Sequence, residues 1–431
     1  MTNLTELEQK IAGRFDEYSE YNAKQALEVI KQKASQRENA VIGIDLITKM
    51  FESSNPLNEF RIKWGIDPTG ADVHIGHIVP VLMLKRLHAF GFSLDIIVGD
   101  FTATVGDPSG RSTERKQLTS DDVQKNAESY FKQISKVFDI NQKNIAQHFN
   151  TKWLSSYGLD RLILILQRLN LTSILQREDF RKRMQSGSSM SIAEILYPVL
   201  MGLDSVELKS DIEVGGIDQM LNFHICREVM SAHNMRPEAY ITTDLIPGTS
   251  GERNEEGELV KMSKSKGNYI AVGEPAQDIY GKTMSISDET MWIWFDLLTE
   301  ISKTELEELR KSDNHPKEIK KLLARLVVRL LGHDENEVKK SEEMFEGRGE
   351  EQVNIKEIIL NPGNKLVSSI SDAIGGSNTY IYGLENSGAI KIFNNGEFNK
   401  TKLEEIENIL EEKGEVNIRV GKLNDIRIKK S

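Results

Sequence analysis

The chain has one cysteine, Cys226, in 431 residues. That excludes intramolecular disulfides and any cysteine-based zinc site, and it fits a reducing cytoplasm. No apolar run approaches the roughly 20 residues of a membrane-spanning helix. The opening residues, Met1-Thr2-Asn3-Leu4-Thr5-Glu6, are polar and acidic, unlike a secretory signal. Positive charge is also short: 55 Lys and Arg against 66 Asp and Glu leave a net charge of −11. Such a balance disfavours general nucleic-acid affinity, although a local basic groove on an acidic protein is compatible with it. Long repeats and low-complexity tracts are absent. The 39% hydrophobic content over this length is enough for two or three domains with their own cores.

The pattern along the chain predicts an α/β protein. Residues 1–58 read as a helical extension, with Leu27, Ile30, Leu46 and Met50 as buried positions. Arg61 to Ile66 reads as a strand ending at Asp67-Pro68-Thr69, Ile78 to Phe90 as a helix closed by Gly91, and Leu94 to Val98 as an apolar strand. Strand, helix, strand of these lengths is a βαβ unit, which predicts a doubly wound parallel sheet over 59–284. Its ligands would sit at the carboxyl ends of the strands, where Asp67-Pro68-Thr69 and Gly99-Asp100 fall. Thr119-Ser120-Asp121-Asp122 is a helix start, with a cap and an acidic first turn. Residues 130–190 read as a polar helical insertion between the halves of the sheet. A helical, charged domain is expected over 285–350. After it come a linker at Asn361-Pro362-Gly363 and a small α+β tail within 351–431.

Two short motifs stand out. His74-Ile75-Gly76-His77 lies just before an expected helix, and Lys261-Met262-Ser263-Lys264-Ser265 follows nearly two hundred residues later. Each alone is weak: the histidines fit a core or a zinc pair, and the lysines fit any solvated loop. Together they supply what an α-phosphoryl centre needs, namely cations and hydrogen-bond donors aimed at oxygens that gain charge in the transition state. Gly76 permits close backbone approach, Pro80 suits a first helical turn, and the helix N-terminus adds partial positive charge.

In this order, the two motifs resemble the paired motifs of class I aminoacyl-tRNA synthetases. The resemblance sharpens to a bacterial branch of the tyrosyl-tRNA synthetases through further stretches. These are Gly65-Ile66-Asp67-Pro68-Thr69, the run from Gly99 to Arg111, Tyr197-Pro198 with Asp204-Ser205, and Gly215-Gly216-Ile217-Asp218-Gln219. Gly267-Asn268-Tyr269 and Ser285-Ile286-Ser287-Asp288-Glu289 complete the set, which covers roughly residues 60–300. The resemblance implies a Rossmann-like nucleotide-binding fold, ATP with Mg2+ as cofactors, no protein-held metal, L-tyrosine and tRNA as partners, and a homodimer whose interface includes the insertion. It implies that Thr69, His74 and His77 hold ATP phosphates and ribose, that Asp218 takes the ribose hydroxyls, and that Lys261 and Lys264 close over the pyrophosphate. Gly65, Asp67, Gly76, Met262 and Ser263 would complete the ATP site. Asp107, Tyr197, Met201 and Gln219 would surround the amino acid's ammonium and carboxylate, and Asp204 would accept the phenol hydroxyl. Arg111 and Arg115 stand where the family has mobile-loop cations.

Three positions depart from the pattern: Met201 replaces a glutamine, Leu203 an aromatic and Ile217 a threonine or serine. A thioether offers none of an amide's donors. The tail departs as well. It resembles the small RNA-binding module that ends such enzymes, with Gly388 to Gly396 as a strand and turn and Val420-Gly421-Lys422 as the last strand. Yet Ser377 to Glu385 lacks arginine, and 351–431 carries 11 basic and 12 acidic residues. Two expectations follow: a tyrosine–tRNA ligase, or a synthetase-like paralogue that passes tyrosine or a related amino acid to a non-tRNA acceptor.

Overall fold

Six short segments share one sheet: β1 (Val41–Ile42), β2 (Arg61–Ile66), β3 (Ser93–Val98), β4 (Ile145–Phe149), β5 (Ile212–Gly216) and β6 (Ala239–Thr243). The computed structural model describes residues 3–69, 72–107, 119–175, 180–181, 184–185, 187, 191–347, 356–361, 364–374, 378–386, 388–394, 397–421 and 424–430. It divides into two units, Met1–Glu343 and Met344–Ser431.

The strand order in the first unit is β1-β6-β5-β2-β3-β4. All neighbours are parallel except β1, which runs antiparallel to β6. Parallel strands are covered on both faces and therefore read as apolar runs; Leu94, Ile96, Ile97 and Val98 of β3 are all buried. The chain moves from β2 to β3 and β4 on one side, then returns to β5 and β6 on the other. That reversal opens a crevice beyond the carboxyl ends of β2 and β5.

The helix after β2 spans Ile75–Phe90 and ends at Gly91, whose φ of 115° is a left-handed cap. Pro80 falls in the second turn, not the first as expected, so it cannot donate to the Gly76 carbonyl. Arg86 on this helix is fully buried against Glu300, with its Nη2 2.6 Å from Oε1 and its Nε 2.9 Å from Oε2. Tyr18, from the N-terminal helices, also donates to Glu300. Removing one member of such a pair leaves a lone buried charge, at about 3–5 kcal/mol.

Of the six strands of this sheet, only β2 and β3 were read as strands from the sequence. β4 lies inside the stretch expected to be a helical insertion over 130–190. It sits at the sheet edge, where a half-covered strand needs no continuous apolar run. The helices Thr151–Leu154, Leu159–Leu166 and Leu171–Leu175 follow it. Leu154, Ile165 and Phe180 pack there against Leu203, Ile225 and Val229. β1 has two residues, too few for a pattern. The charged stretch after 285 forms the helices Asp288–Leu298, Lys303–Lys311, Pro316–Leu330 and Glu335–Gly347.

The second unit has β7 (Lys356–Leu360), β8 (Ile390–Asn394), β9 (Glu397–Lys400), β10 (Glu415–Val420) and β11 (Asn424–Lys430), in the order β7-β11-β10-β8-β9. Ile370, Ile381, Ile406, Ile418 and Ile428 form its core. β8 falls where a strand was expected. Val420 instead ends β10, and β11 is the last strand; β7 precedes the expected linker at 361–363 and pairs with β11. Asn395, Gly396 and Lys422 lie outside the described residues.

Candidate active site

The crevice at the strand ends is a cleft of about 510 Å3. It gathers both motifs. Gly65, Asp67, Thr69, His74, Gly76, His77, Asp107, Tyr197, Met201, Asp204, Asp218, Gln219, Lys261, Met262, Ser263 and Lys264 all line it. Arg111 and Arg115 lie outside the described residues.

One wall starts at the helix N-terminus. His74 is the cap: its Nδ1 accepts from the Gly76 N–H at 3.1 Å, and His77 Nδ1 accepts from the His74 N–H at 3.2 Å. This reciprocal pair stacks the two rings with centroids 3.9 Å apart. A Cβ on Gly76 would sit 2.8 Å from His74 Cε1, so this glycine is what lets the ring fold back. Burial, then the Lys264 and Lys261 ammonium groups, push the His74 imidazole down to about 4. Burial, His74 and Lys264 hold His77 well below its ordinary range. Both rings are therefore neutral near pH 7. Because each Nδ1 accepts, each proton sits on Nε2 as a donor.

The lysine loop faces that helix. Met262 is buried, and its N–H donates to the Ile246 carbonyl at 2.9 Å. Asn268 braces the loop from across: its Oδ1 accepts from the Ser263 N–H at 2.8 Å and its Nδ2 donates to the Lys261 carbonyl at 3.3 Å. Gly248 leaves room for that amide, since a Cβ there would lie 2.1 Å from Asn268 Nδ2. Lys261 Nζ pairs with Asp218 Oδ2 at 3.2 Å, and Lys264 Nζ donates to the Asp72 carbonyl at 2.5 Å. The Lys261–Asp218 pair is exposed, with side-chain accessibilities of 45% and 31%.

The opposite wall is made of partnered acids. Thr102 Oγ1 donates to Asp67 Oδ1 at 2.8 Å and the Tyr197 hydroxyl donates to Asp67 Oδ2 at 3.0 Å. Gly99 makes that contact possible, because a Cβ there would meet Asp67 Oδ1 at 1.9 Å. Burial pushes Asp67 up to about 7, against the Thr102 hydrogen bond. Burial and the neighbouring carboxylates hold the Tyr197 phenol well above its usual range, so it stays a donor. Gln219 Nε2 donates to Asp107 Oδ2 at 2.9 Å. Asp204 is buried and accepts from Trp153 Nε1 at 2.7 Å and Asn150 Nδ2 at 3.3 Å. Burial raises its carboxyl to about 6, with Lys63, Trp153 and Asn150 opposing.

Asp67, placed with ATP by the sequence reading, thus bonds two residues of the amino-acid wall. Of the three departures, Met201 alone lines the cleft. Leu203 and Ile217 are buried elsewhere in the core, so they do not reshape the pocket surface. Trp153, Asn150, Thr102 and Lys63 were not singled out by sequence reading. Asn150 follows the polar edge strand β4, and Trp153 lies in the short helix after it, so neither carried a signal.

The stretch 55–347 matches the family model of class I tRNA synthetases, tryptophan and tyrosine type. The chain belongs to this family. A protein of Idiomarina loihiensis named tyrosine--tRNA ligase is 39% identical over 321 residues, covering 74% of this chain and 77% of that one. One of Aquifex aeolicus with the same name is 39% identical over 306 residues, covering 71% and 74%. Among solved structures, a truncated mitochondrial tyrosyl-tRNA synthetase of Aspergillus nidulans matches with TM-score 0.59 at 20% identity, covering 78% of this chain and 100% of its own. The tyrosyl-tRNA synthetase of Archaeoglobus fulgidus complexed with L-tyrosine matches with TM-score 0.57 at 19% identity, covering 74% and 99%. These structural likenesses show the class I synthetase fold, with its nucleotide-binding sheet. Among the described residues no helix is long and apolar enough to cross a membrane.

Proposed function

We propose that this synthetase activates L-tyrosine with ATP and transfers it to a tyrosine-accepting tRNA in the cytoplasm. The observation that carries the reading is the convergence of His74, His77, Lys261 and Lys264 on one cleft whose far wall holds Asp204. The amino acid's carboxylate is the nucleophile, so no general base is needed. It attacks the α-phosphorus of ATP, an acyl–phosphate bond forms, and pyrophosphate leaves. Both lysines and the two Nε2–H donors offset charge on the phosphate oxygens. Thr69 and the helix N-terminus add donors there, Gly65 and Gly76 keep the backbone open to the nucleotide, and Met262 and Ser263 carry the lysine loop. Asp218 takes the ribose hydroxyls once Lys261 turns to the phosphates. Asp107, Gln219 and the Asp67–Tyr197 pair hold the ammonium group. Asp204 accepts the phenol hydroxyl. The phosphate end offers cations and neutral imidazoles, so a magnesium ion would ride on the ATP phosphates.

A homodimer fits the apolar residues left exposed on the insertion, among them Leu159, Ile163, Leu164 and Leu171. The second unit adds RNA contacts, although the helix Asn378–Asn386 contributes no Lys or Arg. Amino-acid-dependent ATP–pyrophosphate exchange across the twenty amino acids tests the reading, followed by charging of a tRNA pool. Tyrosine alone should support strong exchange. No exchange with tyrosine, or adenylate formation without RNA acylation, would reject it.

A further inference from the structure

At the floor of the same cleft, which Lys63 and Glu213 line together with Asp204, lies a second set of buried charges. Lys63 on β2 is 1% exposed, and all three of its N–H donors are engaged. Its Nζ lies 2.7 Å from Glu213 Oε1 on β5, 2.5 Å from Ser205 Oγ and 3.3 Å from the Met201 carbonyl. Glu238 stands 4.0 Å away, just before β6. Its Oε1 accepts from Ser205 Oγ at 2.8 Å, and its Oε2 accepts from Ser210. Glu213, Cys226 and Glu238 are close enough to hold a metal ion, but the Lys63 ammonium already supplies the cation there.

Three buried charges, one positive and two negative, are not neutral. One proton makes them so. Burial and Glu238 push the Glu213 carboxyl well above the carboxylate range, against Lys63. Among the described residues no donor reaches Glu213 Oε2; protonated, that oxygen becomes a donor with Glu238 beside it. The two acids outweigh burial at Lys63, which stays charged.

Met201 and Ser205 belong to the helix Ile192–Leu208, and they flank Asp204 within one turn. Lys63 therefore grips the backbone on one side of Asp204 and a side chain on the other. We propose that Lys63 is a positioning residue for side-chain selection: it fixes the depth and charge of Asp204 without touching the amino acid's reacting atoms. This rests on the reading of Asp204 as the acceptor of the substrate's hydroxyl. The groups facing Asp204 are Trp153 and Asn150 from the segment after β4, Lys63 from β2 and the Asp100 charge after β3. Those facing Lys63 are Glu213, Glu238, Cys226 and Asp204. Among these described residues Lys63 is the cation that acts on Asp204, so its loss raises the pH at which Asp204 takes a proton.

The test is Lys63→Met in the full chain, by pyrophosphate exchange with each of the twenty amino acids. KM for tyrosine should rise about tenfold or more while KM for ATP stays within about twofold. The preference for tyrosine over phenylalanine should fall, and the acid limb of the tyrosine KM profile should move to higher pH. A purely structural role would lower the active fraction and leave preference and pH profile in place; that result overturns the proposal. If Lys63→Met does not fold, Ser205→Ala decides, since it removes one of the grips and no charge. A smaller rise in tyrosine KM supports the proposal, and an unchanged one overturns it. If the wild type prefers another amino acid, the proposed function falls, and the same comparison with that amino acid still judges Lys63. No activation of any amino acid overturns both.

Discussion

The two walls of the cleft are built on opposite principles. On the nucleotide wall the charges are cationic and partly exposed: Lys261 pairs with Asp218, and Lys264 donates to a backbone carbonyl. On the amino-acid wall they are acidic, partnered and mostly buried: Asp204 is 4% and Tyr197 6% exposed. Exposed pairs cost little to break, so the lysines can exchange protein partners for phosphate. Buried, fully partnered acids cannot move cheaply, so they present one fixed shape. A phosphate chain is met by reorganising cations, and a side chain is selected by a rigid socket.

The largest expected effect comes from the nucleotide wall during chemistry. Removing one donor with His77→Ala, or one cation with Lys264→Ala, should lower kcat for adenylate formation by about 10²- to 10³-fold. Tyrosine affinity, measured by equilibrium titration without ATP, should be nearly unchanged. A matching loss of tyrosine affinity would merge the two walls into one unit.

Next comes the socket. Asp204→Asn keeps the shape but removes the charged acceptor, worth about 1.5–3 kcal/mol for a hydrogen bond to an ionised group. Tyrosine KM should rise by that factor with ATP KM unchanged, in exchange kinetics. Equal losses for both substrates would show that Asp204 does not read the hydroxyl.

The walls should also separate by pH. Asp204, held at about 6, is the stronger acceptor when ionised, and Asp67, held at about 7, draws the ammonium group only as the carboxylate, so tyrosine KM should be flat above about 7 and rise as pH falls through both values. His74, held down at about 4, stays neutral over the same range, so ATP KM should not follow. An ATP KM that rises near the ordinary histidine range would contradict the neutral donor pair.

The smallest effect is the exposed clasp Lys266–Glu252, 3.1 Å apart on the rim of the lysine loop. Lys266→Ala should cost no more than about 1 kcal/mol in thermal or denaturant unfolding. A larger loss would mean the loop is anchored more firmly than its exposed pairs imply.

The same division explains what sequence could reveal. The nucleotide wall is local: His74, Gly76 and His77 form their own hydrogen-bonded box, and Lys261 to Ser265 is one loop. Short spacing carries such geometry directly. The socket is assembled from β2, β4, β5 and the helix Ile192–Leu208, so Lys63 meets Ser205 across 142 positions, and Trp153 meets Asp204 across 51. Nothing in either segment alone names its partner. β4 hid because an edge strand tolerates Gln147 and His148. The importance given to Leu203 failed for a simpler reason. Two residues apart on a helix face nearly opposite sides, so Leu203 turns into the core where Met201 turns to the cleft.

The central claim is that one cleft holds the nucleotide between neutral imidazoles and lysines while a prebuilt acidic socket reads the amino acid. A crystal structure with a non-hydrolysable tyrosyl-adenylate analogue tests it most directly. The phenol should bond Asp204, the ammonium should lie among Asp67, Asp107, Tyr197 and Gln219, and Lys261 should have left Asp218 to the ribose. A phenol bound away from Asp204, or a socket that rearranges around it while the lysine loop stays still, would contradict the account.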